Sequence, residues 1–220
     1  MPLKKKLWAE FLGTFCLVFA GTGAIIVNDI SSGAVSNVGI ALTFGLIVLA
    51  MIYTLGDISG AHFNPAVTLG FVAARRLSTR VALGYIAAQC GGAICASLVL
   101  RLLFSSHPTL GATLPSASNS QSFILELILT AVLMFVILSI STGAKEKGIT
   151  AGIAVGAIIG LEALFAGPIS GASMNPARSL APALVSLNIA ALWIYLIAPP
   201  LGAWCGVLCC RAVREEGCCS

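Results

Sequence analysis

Charge is what this sequence has least of. Of its 220 residues, 12 are Lys or Arg and 8 are Asp or Glu, so 9% are charged against 58% hydrophobic. Soluble domains carry about 25% charged residues, and a chain this poor in charge cannot cover a water-facing surface. A soluble globular fold is excluded; most of the surface must meet lipid. The apolar residues fall in repeated runs of membrane-spanning length, which fits that conclusion.

Basic residues are also missing from one particular place. Residues 105–121 contain no Lys or Arg, whereas Lys4, Lys5, Lys6, Arg75, Arg76, Arg80, Lys145, Lys147, Arg211 and Arg214 account for 10 of the 12. Threaded through six spans, these ten fall on one side. The positive-inside rule then makes both termini cytoplasmic and the basic-free loop external. The lysine run is topogenic, not a nucleic-acid site, and no nucleic-acid partner is expected. It could imitate the start of a signal peptide, but Glu10 within the apolar run and a matching segment later argue for a retained helix.

Cysteine is not scarce, at eight, yet its placement gives no disulfide framework. Cys16, Cys90, Cys95, Cys205, Cys209 and Cys210 lie in or at the ends of apolar segments, where Cys acts as a small hydrophobe. Cys218 and Cys219 sit in a tail, 211–220, expected to be cytoplasmic and unmodified, although S-acylation is the alternative.

Full spans are expected at 7–28, 37–56, 81–104, 122–142, 149–166 and 189–210, each near the 20 or so residues that a bilayer requires. Two segments, 64–74 and 175–185, are too short to cross. Beside them lies an internal repeat. Ile58-Ser59-Gly60-Ala61-His62-Phe63-Asn64-Pro65-Ala66 recurs as Ile169-Ser170-Gly171-Ala172-Ser173-Met174-Asn175-Pro176-Ala177, with seven of nine positions identical at an offset of 111. A weaker echo joins Ala9-Glu10-Phe11-Leu12-Gly13-Thr14 to Leu125-Glu126-Leu127-Ile128-Leu129-Thr130. The single domain is therefore two copies, 7–110 and 122–210, of three spans and one short segment. Three is odd, so the second copy enters from the opposite face, as an inverted repeat whose short segments meet in the middle.

Asn-Pro-Ala has a local meaning. Asn is a preferred helix N-cap, and Pro suits the first helical position. Asn64-Pro65-Ala66 and Asn175-Pro176-Ala177 each start a short helix after a non-helical stretch, with Gly60 and Gly171 allowing unusual backbone angles. Irregular backbone at membrane depth is tolerated only where it is buried in protein or lines a wet cavity. The carbonyls of Gly60, Ala61 and His62, and those from Gly171 to Ser173, can thus line a pore. Two helix N-termini meeting there bring roughly half a positive charge each. That field opposes cations and protons, while the two Asn amides offer donors to a passing oxygen.

These residues resemble the aquaporin (major intrinsic protein) family along nearly the whole chain. The resemblance is carried by Ala9-Glu10-Phe11-Leu12-Gly13-Thr14-Phe15, by Ser59 to Thr68 with its Asn-Pro-Ala, and by Gly171-Ala172-Ser173-Met174-Asn175-Pro176-Ala177-Arg178-Ser179. It implies an all-α right-handed bundle of six membrane helices and two half-helices, in a homotetramer with one pore per subunit and no cofactor or metal. It implies passive passage of water and small uncharged solutes, with protons and ions excluded. By position relative to the two Asn residues, the family's selectivity filter falls on Phe44, Ala163, Ala172 and Arg178. Arg178 also stands out alone, since an unpaired Arg at the bilayer centre costs about 2.5–3.5 kcal/mol; a purely structural Arg bonded to loop carbonyls is the other reading.

The departures from the pattern bear on selectivity. Water-specific members have His where this chain has Ala163, and glycerol conductors place two aromatics where it has only Phe44. Ser179 and Ala183 resemble water channels; Phe104, Tyr195 and Leu196 resemble the plant nodulin-like branch and its bacterial relatives. That branch often carries glycerol, urea or uncharged metalloid acids, so water plus such solutes is expected, with a strictly water-selective channel as the alternative.

Other polar residues divide between roles. Glu10 and Glu126 occupy equivalent places and are expected to accept hydrogen bonds from the re-entrant loops, with a proton relay as the alternative. Glu162 is expected to anchor the second loop or to touch the outer vestibule. A pH-gating ring at His62 is the lesser reading beside its lining carbonyl, Met174 is a packing residue, and His107 is assigned nothing. A secondary transporter would need coupling carboxylates at the Asn-Pro-Ala segments, and none is there. An enzyme is excluded by the absence of paired aspartates, Ser–His spacing or a metal-ligand cluster, and an ion channel by the absence of an acidic ring.

Overall fold

The computed structural model of the chain describes residues 1–141 and 150–214. Lys145, Lys147, Cys218 and Cys219 lie outside the described residues. Eight helices are described: α1 (Leu3–Ile30), α2 (Ser36–Ser59), α3 (Pro65–Ala73), α4 (Thr79–Leu103), α5 (Asn119–Ile140), α6 (Ala151–Ser170), α7 (Pro176–Ser186) and α8 (Leu192–Val213). All but α3 and α7 are long and apolar enough to cross a membrane. With 9 and 11 residues, those two reach roughly half of the ~30 Å hydrocarbon core at ~1.5 Å per residue.

Most helix boundaries shift from the sequence expectation by three residues or fewer; the two that depart furthest, the start of α1 and the end of α6, each do so for a physical reason. Helix α1 begins at Leu3, not at 7, because Lys4–Lys6 are good helix formers and simply extend it. Helix α6 runs through Pro168 to Ser170, although the sequence reading stopped it at 166. Proline supplies no N–H to the carbonyl four residues back. That carbonyl, on Leu164, instead accepts Asn37 Nδ2 of α2 at 2.7 Å, so the helix survives. Five of the described cysteines are free; Cys210, read from sequence as a small apolar side chain, is disulfide-bonded.

Which helix packs on which is unchanged when the halves are exchanged. Helix α1 packs on α2 and α4, as α5 packs on α6 and α8. Half-helix α7 lies against α4 of the first half, and α3 against α8 of the second, while α2 meets α6 and α3 meets α7 across the middle. Each half thus completes the other. Across the middle, α2 lies close against α6, where a Cβ on Gly45 would stand 2.7 Å from the Gly156 carbonyl oxygen. Outward faces are apolar: Val38, Leu42 and Leu46 on α2, Ile124, Ile128 and Val132 on α5, and Leu201, Trp204 and Leu208 on α8 are exposed. In a bilayer those stripes meet lipid or another protein.

Candidate functional site: a lumen between two half-helices

Each half-helix begins as its sequence dictates. Asn64 is extended, and its side-chain oxygen accepts the N–H groups of Ala66 at 2.8 Å and Val67 at 3.5 Å. Asn175 does the same for Ala177 at 3.0 Å and Arg178 at 3.3 Å. Pro65 and Pro176 take the first helical position in each.

The loops feeding these caps are left-handed at more places than the glycines. Gly60 (φ 92°), Ala61 (51°) and Phe63 (49°) are matched by Gly171 (84°), Ala172 (39°) and Met174 (53°). Positive φ is unfavourable for residues with a Cβ, so something must hold the backbone. In the first half it is the buried Glu10 carboxylate, which accepts Ser59 Oγ at 2.6 Å, His62 N at 3.0 Å, Phe63 N at 2.8 Å and Gln89 Nε2 at 2.8 Å. In the second it is Glu126, which accepts Ser170 Oγ, Ser173 N and Met174 N, each at 2.8 Å. Tyr85 and Tyr195 hydroxyls donate to the carbonyls of Ser59 and Ser170 at 2.7 and 2.6 Å. Charge-assisted bonds of this kind are the strong ones. Both carboxylates are spent on loop geometry.

The two caps then cross. Asn64 Nδ2 donates to the Met174 carbonyl at 2.7 Å, and Asn175 Nδ2 donates to the Phe63 carbonyl at 2.9 Å. An amide nitrogen carries two hydrogens, so each keeps one for the lumen. The carbonyls of Gly60, Ala61, His62, Gly171, Ala172 and Ser173 accept no hydrogen bond from the described residues. Buried backbone acceptors are nearly always paired, with ordered water where protein is lacking. A file of unclaimed acceptors at membrane depth therefore calls for water beside it.

That space exists as a cavity of about 130 Å³. Asn64 and Asn175 line it, with Gly60, Ala61, His62 and Ser173; Gly171 is not on its wall. Val48, Ile52, Leu133, Val155 and Ile159 make the remaining wall largely apolar. Pro65, Ala66, Pro176 and Ala177 are buried in the half-helices behind it. The His62 ring stacks on Phe71, 4.4 Å between centroids, and its Nδ1 lies 3.1 Å from Thr68 Oγ1.

Phe44, far in sequence from Ala163, Ala172 and Arg178, comes together with them on the same cavity. The ring of Phe44 occupies the place that a Cβ on Gly21 of α1 would take. Arg178, 2% exposed, sits with its guanidinium carbon 5.2 Å from the Phe44 ring centroid, and its Nη1 donates to the Gly111 carbonyl at 2.9 Å. Its Nε has no partner among the described residues. A held cation on the wall of a cavity can offer hydrogen bonds to a neutral molecule and repel a positive one.

One expectation needs correction, and one residue left unassigned proves to be bonded. Glu162 is buried, but its Oε2 meets no donor among the described residues, while the Ser173 and Met174 N–H groups of the second loop go to Glu126. His107 does have partners. It is buried, its Nδ1 accepts Leu110 N at 3.0 Å, and its Nε2 lies 3.3 Å from Asp29 Oδ2. Sequence reasoning also missed the segment between α4 and α5, which folds inward so that Gly111 reaches Arg178 and Thr113 Oγ1 donates to Ser179 Oγ at 2.8 Å. Gly111, at φ 71°, was the available signal.

The family model described as "Major intrinsic protein" matches residues 1–210. Aquaporin NIP1-4 of Oryza sativa subsp. japonica is 50% identical, over 97% of this chain and 78% of its own length. Nodulin-26 of Glycine max is 44% identical over 97% of this chain and 79% of its own. Among solved structures, the aquaglyceroporin from Plasmodium falciparum matches with a TM-score of 0.81 at 26% identity, covering 96% of this chain and 99% of that one.

Proposed function

The chain belongs to the major intrinsic protein family, and from that membership together with its lumen we propose a solute range wider than water. It is a membrane channel for water and small neutral solutes, not an enzyme. We propose that the solutes include glycerol, urea or uncharged metalloid acids such as boric or arsenous acid, that protons and ions are excluded, and that Phe44, Ala163, Ala172 and Arg178 form the constriction.

The observation that carries this reading is the pair of methyl-sized side chains, Ala163 and Ala172, on the same cavity as Phe44 and Arg178. Two of four filter positions leave room for a solute larger than water. Along the axis, the unclaimed loop carbonyls accept from the solute while the free Asn64 and Asn175 hydrogens donate. A hydroxyl-bearing neutral molecule can exchange its hydration for these partners step by step. A cation meets the positive ends of α3 and α7 and the Arg178 guanidinium.

Stopped-flow light scattering of proteoliposomes, with water, glycerol, urea and a metalloid acid in turn, tests this range. Flux of at least one larger solute above protein-free vesicles is expected. Water flux alone would make the channel strictly water-selective and the constriction narrower than proposed. Saturable, gradient-coupled uptake would indicate a transporter instead.

Four further readings are proposals of the same kind. The halves 7–110 and 122–210 form an inverted repeat, supported by the exchange symmetry of the packing. Both termini are cytoplasmic, supported by the one-sided basic residues. The channel is a homotetramer, supported by family membership and the apolar outward faces. The plasma membrane is its site.

A further inference from the structure

Arg178 is steadied from a segment that the sequence leaves unremarkable. Between α4 and α5 the chain turns at two consecutive left-handed residues, Leu110 (φ 52°) and Gly111 (φ 71°). The turn presents the Gly111 carbonyl to Arg178 Nη1 at 2.9 Å. Leu110 is fully buried with Ile26 and Leu100, which pins the side chain but not the orientation of the peptide. The peptide is oriented by His107, whose Nδ1 accepts the Leu110 N–H at 3.0 Å.

We propose that His107 is a positioning residue for the constriction: its neutral ring fixes the turn that presents Gly111 to Arg178, and protonation of the ring releases that turn and lowers flux.

The tautomer follows from the contacts. Because Nδ1 faces an N–H, it carries the lone pair, and the neutral ring keeps its hydrogen on Nε2, 3.3 Å from Asp29 Oδ2. A second proton can go only to Nδ1. It converts the acceptor into a donor facing another donor, and the Leu110 N–H must move away. The Leu110 N–H shares its peptide with the Thr109 carbonyl, which accepts Ala112 N at 3.0 Å. Ala112 N shares its peptide with the Gly111 carbonyl, so a shift of the first peptide carries the second with it and Arg178 loses its bond. An unheld guanidinium beside a narrow lumen then samples positions that block it. The charged groups around the ring are Asp29 at the end of α1 and Arg101 of α4. Arg101 Nη1 donates to the His107 carbonyl at 2.9 Å. The turn after α7 contributes only the neutral Asn188, bonded to the Pro108 carbonyl at 3.1 Å. Histidine is the side chain suited to such a switch near neutral pH.

The test uses proteoliposomes buffered alike on both sides at about pH 7.5 and about pH 5, a range that histidines titrate across. Wild-type water and glycerol permeability should fall about fivefold on acidification, the shift that one lost hydrogen bond supports. In His107→Asn the side-chain oxygen can still accept from Leu110 but cannot take up a proton, so flux should be high and flat with pH. Asp29→Asn should keep the response, because the Leu110 N–H still faces Nδ1. A flat wild-type profile, a fall that persists in His107→Asn, or loss of the fall in Asp29→Asn would each overturn the proposal. A merely structural role predicts instead that His107→Asn lowers flux equally at both pH values. The inference rests on reading Arg178 as part of the constriction, so Arg178→Val is measured at about pH 7.5 as well. Unchanged solute discrimination there sinks the constriction itself. Altered discrimination with a flat wild-type acid response sinks only the role of His107.

Discussion

Glu126 and Glu162 are buried carboxylates in the same half of the chain, and one is held by three donors while the other has no bonded partner for its buried oxygen. Their burial is nearly equal, so burial alone says nothing about what each contributes. Glu126→Gln removes one of the two oxygens that receive Ser173 N, Met174 N and Ser170 Oγ, and should destabilise the protein by about 2–3 kcal/mol. Glu162→Gln should leave stability unchanged or raise it, because an unpaired buried carboxylate is costly to begin with. Thermal unfolding of the detergent-solubilised protein compares the two. Equal losses would mean that Glu162 has a bonded role after all.

Asn64→Asp separates capping from the central field. The carboxylate still accepts from Ala66 and Val67, so α3 should form. It cannot donate to Met174, and it sets a full negative charge against roughly half a positive charge at each half-helix. Cation conductance in planar bilayers should rise above the wild-type level while water still passes. No rise would mean that Arg178, not the half-helix field, is the barrier to cations.

Ala163→His fills one of the two methyl-sized positions on the lumen. Glycerol flux should fall at least tenfold and water flux by less than about threefold, since steric exclusion scales with solute size while a polar ring still serves water. Stopped-flow measurement with both solutes decides. Unaltered glycerol flux would show that Ala163 does not face the constriction.

Gly45→Ala acts through the neighbours of the proposed constriction. The added methyl would stand 2.7 Å from the Gly156 carbonyl oxygen and 3.3 Å from the Gly160 Cα, both backbone atoms that cannot rotate aside. A loss of about 1–3 kcal/mol is expected from this overpacking. Helices α2 and α6 carry Phe44 and Ala163, so forcing them apart should also relax discrimination between glycerol and urea. Stability and the flux ratio should change together.

Much of this architecture was legible in the sequence, for reasons that can be named. Six apolar runs identify six crossings because nothing else in a charge-poor chain needs them. The repeated Asn-Pro-Ala, with its capping chemistry, located both half-helices to within a residue or two at each end. The carboxylates Glu10 and Glu126 were found through their weak echo. Illegible were features made by contacts distant in sequence. Helix α6 passes Pro168 only because Asn37, 127 residues away, accepts the task of bonding Leu164. The inward fold of the α4–α5 connection depends on Leu110 entering a small apolar cluster with Ile26 and Leu100, which no local pattern announces. His107 looked isolated because its carboxylate partner, Asp29, lies at the end of the first helix.

The exchange between Asn64 and Met174, and between Asn175 and Phe63, governs when the channel can come into being during synthesis. As the ribosome delivers the first half, Asn64 has no Met174 to grip, and the left-handed bends at Ala61 and Phe63 lack one of their restraints. The crossed pair of bonds can form only once both half-helices are in place, so the centre of the conduit needs both halves of the chain.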